Sequence, residues 1–284
     1  ALLISVISLN SQASQITDNT LLFEAKVLRH IELMNTHTSN IINLSCDTQK
    51  DQIIKNWETA YSNYLAISYM NLEVITNNAL NYSFAFWPDK KNLIGKKMKS
   101  LLAKTDINAA DIGKSSAPVK GYQAIEYLLF DKSQTKINCT AIKAIVINML
   151  DNIKLISAQL NQLPIIKSEF LTNQREIEGA SIAFNQISNH LSAIIKKVTT
   201  ITNDKKNEKL YFSDAWRSKQ ALHFHKNNVN NAIEYIQIMS GLLSEQSQKT
   251  LQPQILQLNI QLSKFPSNYF EIYTQKKETP LFHH

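Results

Sequence analysis

At 284 residues and 44% hydrophobic content, the chain can bury a full core in one large domain or two of about 140 residues. Five glycines and six prolines are too few for a sheet with many tight turns, so the composition points to an all-α protein. The net charge of +7 suggests nucleic acid or an anionic surface. Yet the lysine clusters at 89–99 and 203–209 are broken by acids and lack interleaved aromatics, so they read as solvated loops with no nucleic-acid partner.

The first fifteen residues, ALLISVISLNSQASQ, open with mostly apolar positions and end in small polar ones. This is the pattern of a secretion signal lacking its basic start. Residues 1–14 are therefore expected to be the remnant of an export signal; the alternative is a buried first segment of helix. The run is too short to span a bilayer, and no later stretch is apolar enough to do so.

Helical periodicity governs the rest. Over 16–44, Phe23, Val27, Ile31, Met34 and Ile41 share one side. His30 and His37, about 10 Å apart along such a helix, sit at the edge of that stripe and cannot share a metal directly. From 51 to about 80, Ile54, Trp57, Tyr61, Tyr64 and Ile75 line up, and a break follows at 86–92. The stretch 104–121 is long for a loop inside a bundle, and long internal loops are often functional. From 141 to 163, Ile142, Val146, Met149, Ile153, Ile156, Leu160 and Leu163 alternate spacings of four and three, the seam of a packed helix that Pro164 ends. Further amphipathic helices are predicted at 171–200 and 213–247, with shorter ones at 254–263 and 267–276 after Pro253. The expected architecture is all-α, two packed helical-bundle halves of long antiparallel helices, 15–135 and 136–284. Cys46 and Cys139 match no zinc or CxxC spacing. In an oxidising compartment they can pair; the alternative is two unrelated buried thiols.

Most catalytic signatures are absent: there is no GxGxxG, Walker loop, GxSxG or HExxH. The histidines of HFH at 223–225 point about 200° apart on a helix, and His190 stands alone. SAPVKGYQAIEYLLFDK at 115–131 is different. Pro118 and Gly121 break the chain, and Gln123 and Glu126, three apart, share a face of the helix that follows. Near a helix start, Glu126 complements the dipole, and a carboxylate there is also suited to a hard metal. Spacing alone leaves both roles open.

The stretch KGYQAIEYLLFD (120–131) resembles the signature of the imelysin-like proteins, Gly-x-His-x-x-Glu followed by an apolar run. Gly121, Glu126 and the run Ala124 to Phe130 match it; Gln123 stands where the family has histidine. WETAYSNYL (57–65), FWPDKKNLI (86–94) and YFSDAWRSKQAL (211–222) are similar to further family segments, with Asp214 where a glutamate is common. The resemblance covers about residue 16 to near 275.

It implies a two-bundle all-α fold with the motif near a site between the halves. It also implies a periplasmic or outer-surface location in a bacterium and a role in iron uptake. Gly121, Gln123 and Glu126 are then site residues, Glu126 the metal ligand, with Trp87, Asp89, Asp214, Arg217 and Ser218 candidates to complete the pocket. Iron or an iron chelate is the expected partner, and a membrane transport component a further one. Some members were described as metallopeptidases. The amide of Gln123 neither titrates near neutral pH nor binds transition metals well, so a histidine–glutamate peptidase centre is incomplete here. The expected function is binding without catalysis; the alternatives are a metallopeptidase and an interaction module that binds no metal.

Overall fold

The computed structural model describes residues 2–68, 70, 72–76, 79–89, 91–162, 164–170, 175–202, 213–243 and 245–264. For 2–14, 161–162, 168, 198–202, 261–262 and 264 it describes the backbone alone. The predicted helix at 267–276 lies outside these residues.

The chain is all-α. Its helices are α1 (Leu2–Asn40), α2 (Lys50–Ile67), α3 (Glu73–Thr76), α4 (Asn81–Phe84), α5 (Leu93–Leu102), α6 (Ala109–Lys114), α7 (Gly121–Phe130), α8 (Cys139–Gln162), α9 (Glu176–Thr202), α10 (Ala221–Ser240) and α11 (Glu245–Lys264). One packed group holds α1, α2, α9 and α10, and a second gathers α3 to α8 around α7 and α8, with α8 also lying on α1. Thus α9 and α10, late in sequence, pack on α1 and α2, which come first.

The predicted seam of α8 is buried from Ile142 to Leu160. Asn138 caps its start, its Oδ1 accepting from the Ala141 N–H at 2.9 Å. A disulfide joins Cys46 to Cys139 across 93 positions, tying the start of α8 to the segment before α2.

Several boundaries differ from the periodicity; the helix expected to run to 247 ends at Ser240, and α11 starts at Glu245. The helix expected over 51–80 ends at Ile67, and the short α3 closes with Ala79 left-handed (φ 49°) and the Leu80 N–H bonded back to Ile75 O at 3.0 Å, a terminating motif. The helix expected from 213 starts at Ala221. The same device precedes it: Lys219 has φ 64° and the Gln220 N–H reaches Ala215 O at 3.2 Å. Pro253 lies inside α11 and does not break it. The 104–121 stretch carries α6 and a 3-10 turn over Ala117–Val119.

An aromatic cluster fixes α7 against its neighbours. Trp57 and Tyr61 on α2, Tyr122 on α7 and Phe224 on α10 are all buried, with ring centroids from 4.8 to 6.0 Å apart. The Trp57 indole donates to Tyr122 O at 2.9 Å. A predominantly apolar, aromatic wall of this kind makes the position of α7 well defined.

Candidate functional site

Gly121 opens α7 with φ 73°, and a Cβ there would lie 2.1 Å from the Phe84 carbonyl oxygen. Only glycine meets both the left-handed backbone and the close approach. The helix then carries nine buried residues in a row, Gly121 to Leu129. Gln123 and Glu126 are therefore buried among apolar side chains: Gln123 is 4% exposed and Glu126 0%.

Gln123 Nε2 donates to the Tyr61 hydroxyl at 2.6 Å. Glu126 Oε1 accepts from the backbone N–H of Ser218 at 2.8 Å and from its hydroxyl at 3.0 Å. Burial pushes the Glu126 carboxyl up to about 7, against the pull of the Ser218 N–H and the Arg217 charge.

The turn 213–220 supplies the opposite wall. Ala215 (φ 52°) and Lys219 are left-handed, so this backbone is strained at two non-glycine positions. Asp214 is buried and paired with the equally buried Lys197 of α9. The Lys197 ammonium also stands 4.9 Å from the centre of the Trp87 ring. Arg217 Nε donates to Asp131 Oδ2 at 2.9 Å and Nη2 to Asn92 Oδ1 at 2.8 Å, with its guanidinium over the Trp216 ring. Asp89 caps α5, its carboxylate accepting from the N–H groups of Leu93 (2.5 Å) and Ile94 (3.2 Å).

A small cavity, with room for on the order of one water molecule, lies among these groups. Trp87, Asp89, Gln123, Glu126, Asp214 and Arg217, all singled out from the sequence, line it. Ser218 is not on its wall but holds Glu126, and Gly121 shapes the approach to α7 without lining it. Three wall atoms have no hydrogen-bond partner among the described residues: Gln123 Oε1, Glu126 Oε2 and Asp214 Oδ1. Buried oxygens are rarely left so.

All three are hard oxygen donors, the kind that suits a hard cation. Histidine and cysteine are absent from the lining, and among the described residues no three His, Cys, Asp or Glu side chains form a metal-binding group. A zinc site built on nitrogen and sulfur therefore does not fit. Four carboxylates here (Asp89, Glu126, Asp131, Asp214) face two cations (Lys197, Arg217), leaving two negative charges when Glu126 is ionised.

Sequence reading missed Lys197 and Tyr61. Lys197 had a signal. It follows Ala183, Ile187, His190 and Ile194 in the buried stripe of α9, at spacings of four and three. A lysine at a seam position needs a buried partner.

Comparison with known proteins bears on the whole chain. No curated protein matches the sequence. The crystal structure of an imelysin-like protein from Psychrobacter arcticum 273-4 superimposes with a TM-score of 0.70, covering 90% of this chain and 86% of that one at 12% identity, which shows a shared fold. The sequence model of the Imelysin family matches residues 26–267. The chain belongs to the imelysin family.

Proposed function

We propose that this protein binds a hard metal cation, iron before others, as cargo in bacterial iron uptake, and that it does so without catalysis. The observation that supports the reading is the trio of unpartnered oxygens on one cavity wall, Gln123 Oε1, Glu126 Oε2 and Asp214 Oδ1. Three protein oxygens would hold the cation directly, with room on the order of one water molecule beside them. Glu126 carries the negative charge that the cation neutralises. Gln123, held by Tyr61, presents its amide oxygen where the family motif has histidine.

The disulfide between Cys46 and Cys139 supports a periplasmic or outer-surface location, because disulfides persist in oxidising compartments. Among the described residues no helix is long and apolar enough to cross a membrane. A membrane transport component is the partner that would receive the cargo.

Isothermal titration of metal-stripped protein with Fe³⁺–citrate, Fe²⁺, Zn²⁺ and haem tests the reading. Saturable iron binding that is lost in Glu126→Ala, with helical content retained, is the expected result. Equal iron affinity in that variant overturns the assignment of Glu126. Stoichiometric zinc with chelator-sensitive casein cleavage would return the protein to the peptidases.

A further inference from the structure

Lys197 is the feature of this site that cation binding alone does not explain. Its side chain is 2% exposed and its partner Asp214 1%. Burying such a pair is costly, and replacing one with apolar residues is often neutral or stabilising, so stability is a weak reason to keep it. Its placement is specific. Lys197 touches Asp214 and Trp87, both on the cavity wall, from just behind it: it belongs to α9, none of whose described residues lines the cavity. The ammonium takes Asp214 Oδ2, and the other oxygen, Oδ1, is the unpartnered one. The cation on the wall itself, Arg217, is held by Asp131 and Asn92 in a planar array. Lys197 is a point charge on a flexible stem, able to give up one carboxylate without dismantling a fork of hydrogen bonds.

Resting on the cation reading above, we infer that Lys197 is a tethered competitor for the cargo: its ammonium holds Asp214 while the site is empty and yields it to a multivalent cation. The device sets selectivity by charge. A monovalent ion offers Asp214 no more than the ammonium already does, whereas a divalent or trivalent ion offers more. It also keeps Asp214 from standing as an unpaired buried charge when no cargo is bound.

The test compares wild type, Lys197→Met, Lys197→Arg and Glu126→Gln by titration with Mn²⁺ and anaerobic Fe²⁺, with far-UV circular dichroism to check folding. Removing a positive charge this close should tighten binding by about ten-fold or more. Lys197→Arg keeps the charge and can hold Asp214 through a bidentate fork, so it should bind no more tightly than wild type. Glu126→Gln tests the cation reading separately and should lose binding. A folded Lys197→Met with Mn²⁺ affinity equal to or weaker than wild type overturns the competitor role and leaves that reading standing. Binding by Lys197→Met but not by wild type supports the role, since the ammonium then closes the site outright. No binding by either overturns both. Should Lys197→Met fail to fold, amine labelling of wild type decides: acetylation of Lys197 should rise several-fold on adding Mn²⁺, and an unchanged level overturns the inference.

Discussion

Glu126 and Ser218 are joined twice across 92 positions of sequence: the backbone N–H and the hydroxyl of Ser218 both donate to Glu126 Oε1, at 2.8 and 3.0 Å. The pair ties α7 to the strained turn before α10. Ser218→Ala removes the hydroxyl donor and leaves the backbone one. Each hydrogen bond to a charged group is worth about 1.5–3 kcal/mol, and about 1.4 kcal/mol corresponds to one pH unit. The Ser218 hydroxyl has one proton and also lies 2.9 Å from Ala215 O, so the carboxyl of Glu126, already pushed up to about 7 by burial, should rise further by at most about one unit. Infrared titration of the protonated carboxyl band reads this directly, and an unmoved midpoint would contradict the bond's role.

Gly121 should not tolerate alanine. Its φ of 73° and the 2.1 Å approach of a Cβ to Phe84 O place strain and a backbone clash at one residue. Gly121→Ala should cost about 3 kcal/mol or more and lower the thermal midpoint by several degrees. Gly113, inside α6, meets only the Asn148 side-chain amide at 3.2 Å. Gly113→Ala is the control, with a change within about 1 kcal/mol. Similar losses in both would mean that Gly121 is not special.

The disulfide closes a loop between Cys46 and Cys139, 93 positions apart. Chain entropy assigns such a cross-link about 4–5 kcal/mol. Reduction, or Cys46→Ser with Cys139→Ser, should lower the urea midpoint markedly while leaving the helical circular dichroism intact at low denaturant. Unchanged midpoints on reduction would mean that the bond contributes little.

Much of this was legible in the sequence because local rules and tertiary structure agree. The seam of α8 is one such place: every position from Ile142 to Leu160 in the four-three repeat is buried. The spacing of Gln123 and Glu126 likewise put both on one wall of a cavity. Where local and tertiary effects part, the reading failed. Apolar residues continue to Ile75, yet α2 stops at Ile67, and the left-handed Ala79 that follows carries no glycine to announce it. Lys219 hides the start of α10 in the same way. The partner of Asp214 comes from 17 residues earlier, on α9, and no short-range pattern in the 213–220 turn names it.

The site should also be visible in the pH dependence of stability. Burial lowers His190 and His225 to about 4 and raises Glu126 to about 7. The unfolded histidines titrate near 6.5. From about pH 4 to 6.5 the unfolded chain thus binds two protons at these histidines that the folded chain refuses, so stability rises with pH there. Glu126 acts oppositely. From about 4.5 to 7 the folded chain keeps a proton that the unfolded chain has lost, so its contribution falls as pH rises, by about 3 kcal/mol in all. The two histidines outweigh the single carboxyl up to about 6.5, and the net slope is upward. Glu126→Gln removes only the opposing part. In metal-free buffer, urea unfolding at pH 5, 5.5, 6 and 6.5 should give a steeper rise for Glu126→Gln than for wild type, by about 1.4 kcal/mol per pH unit. Parallel slopes would show that Glu126 is not held protonated by its burial.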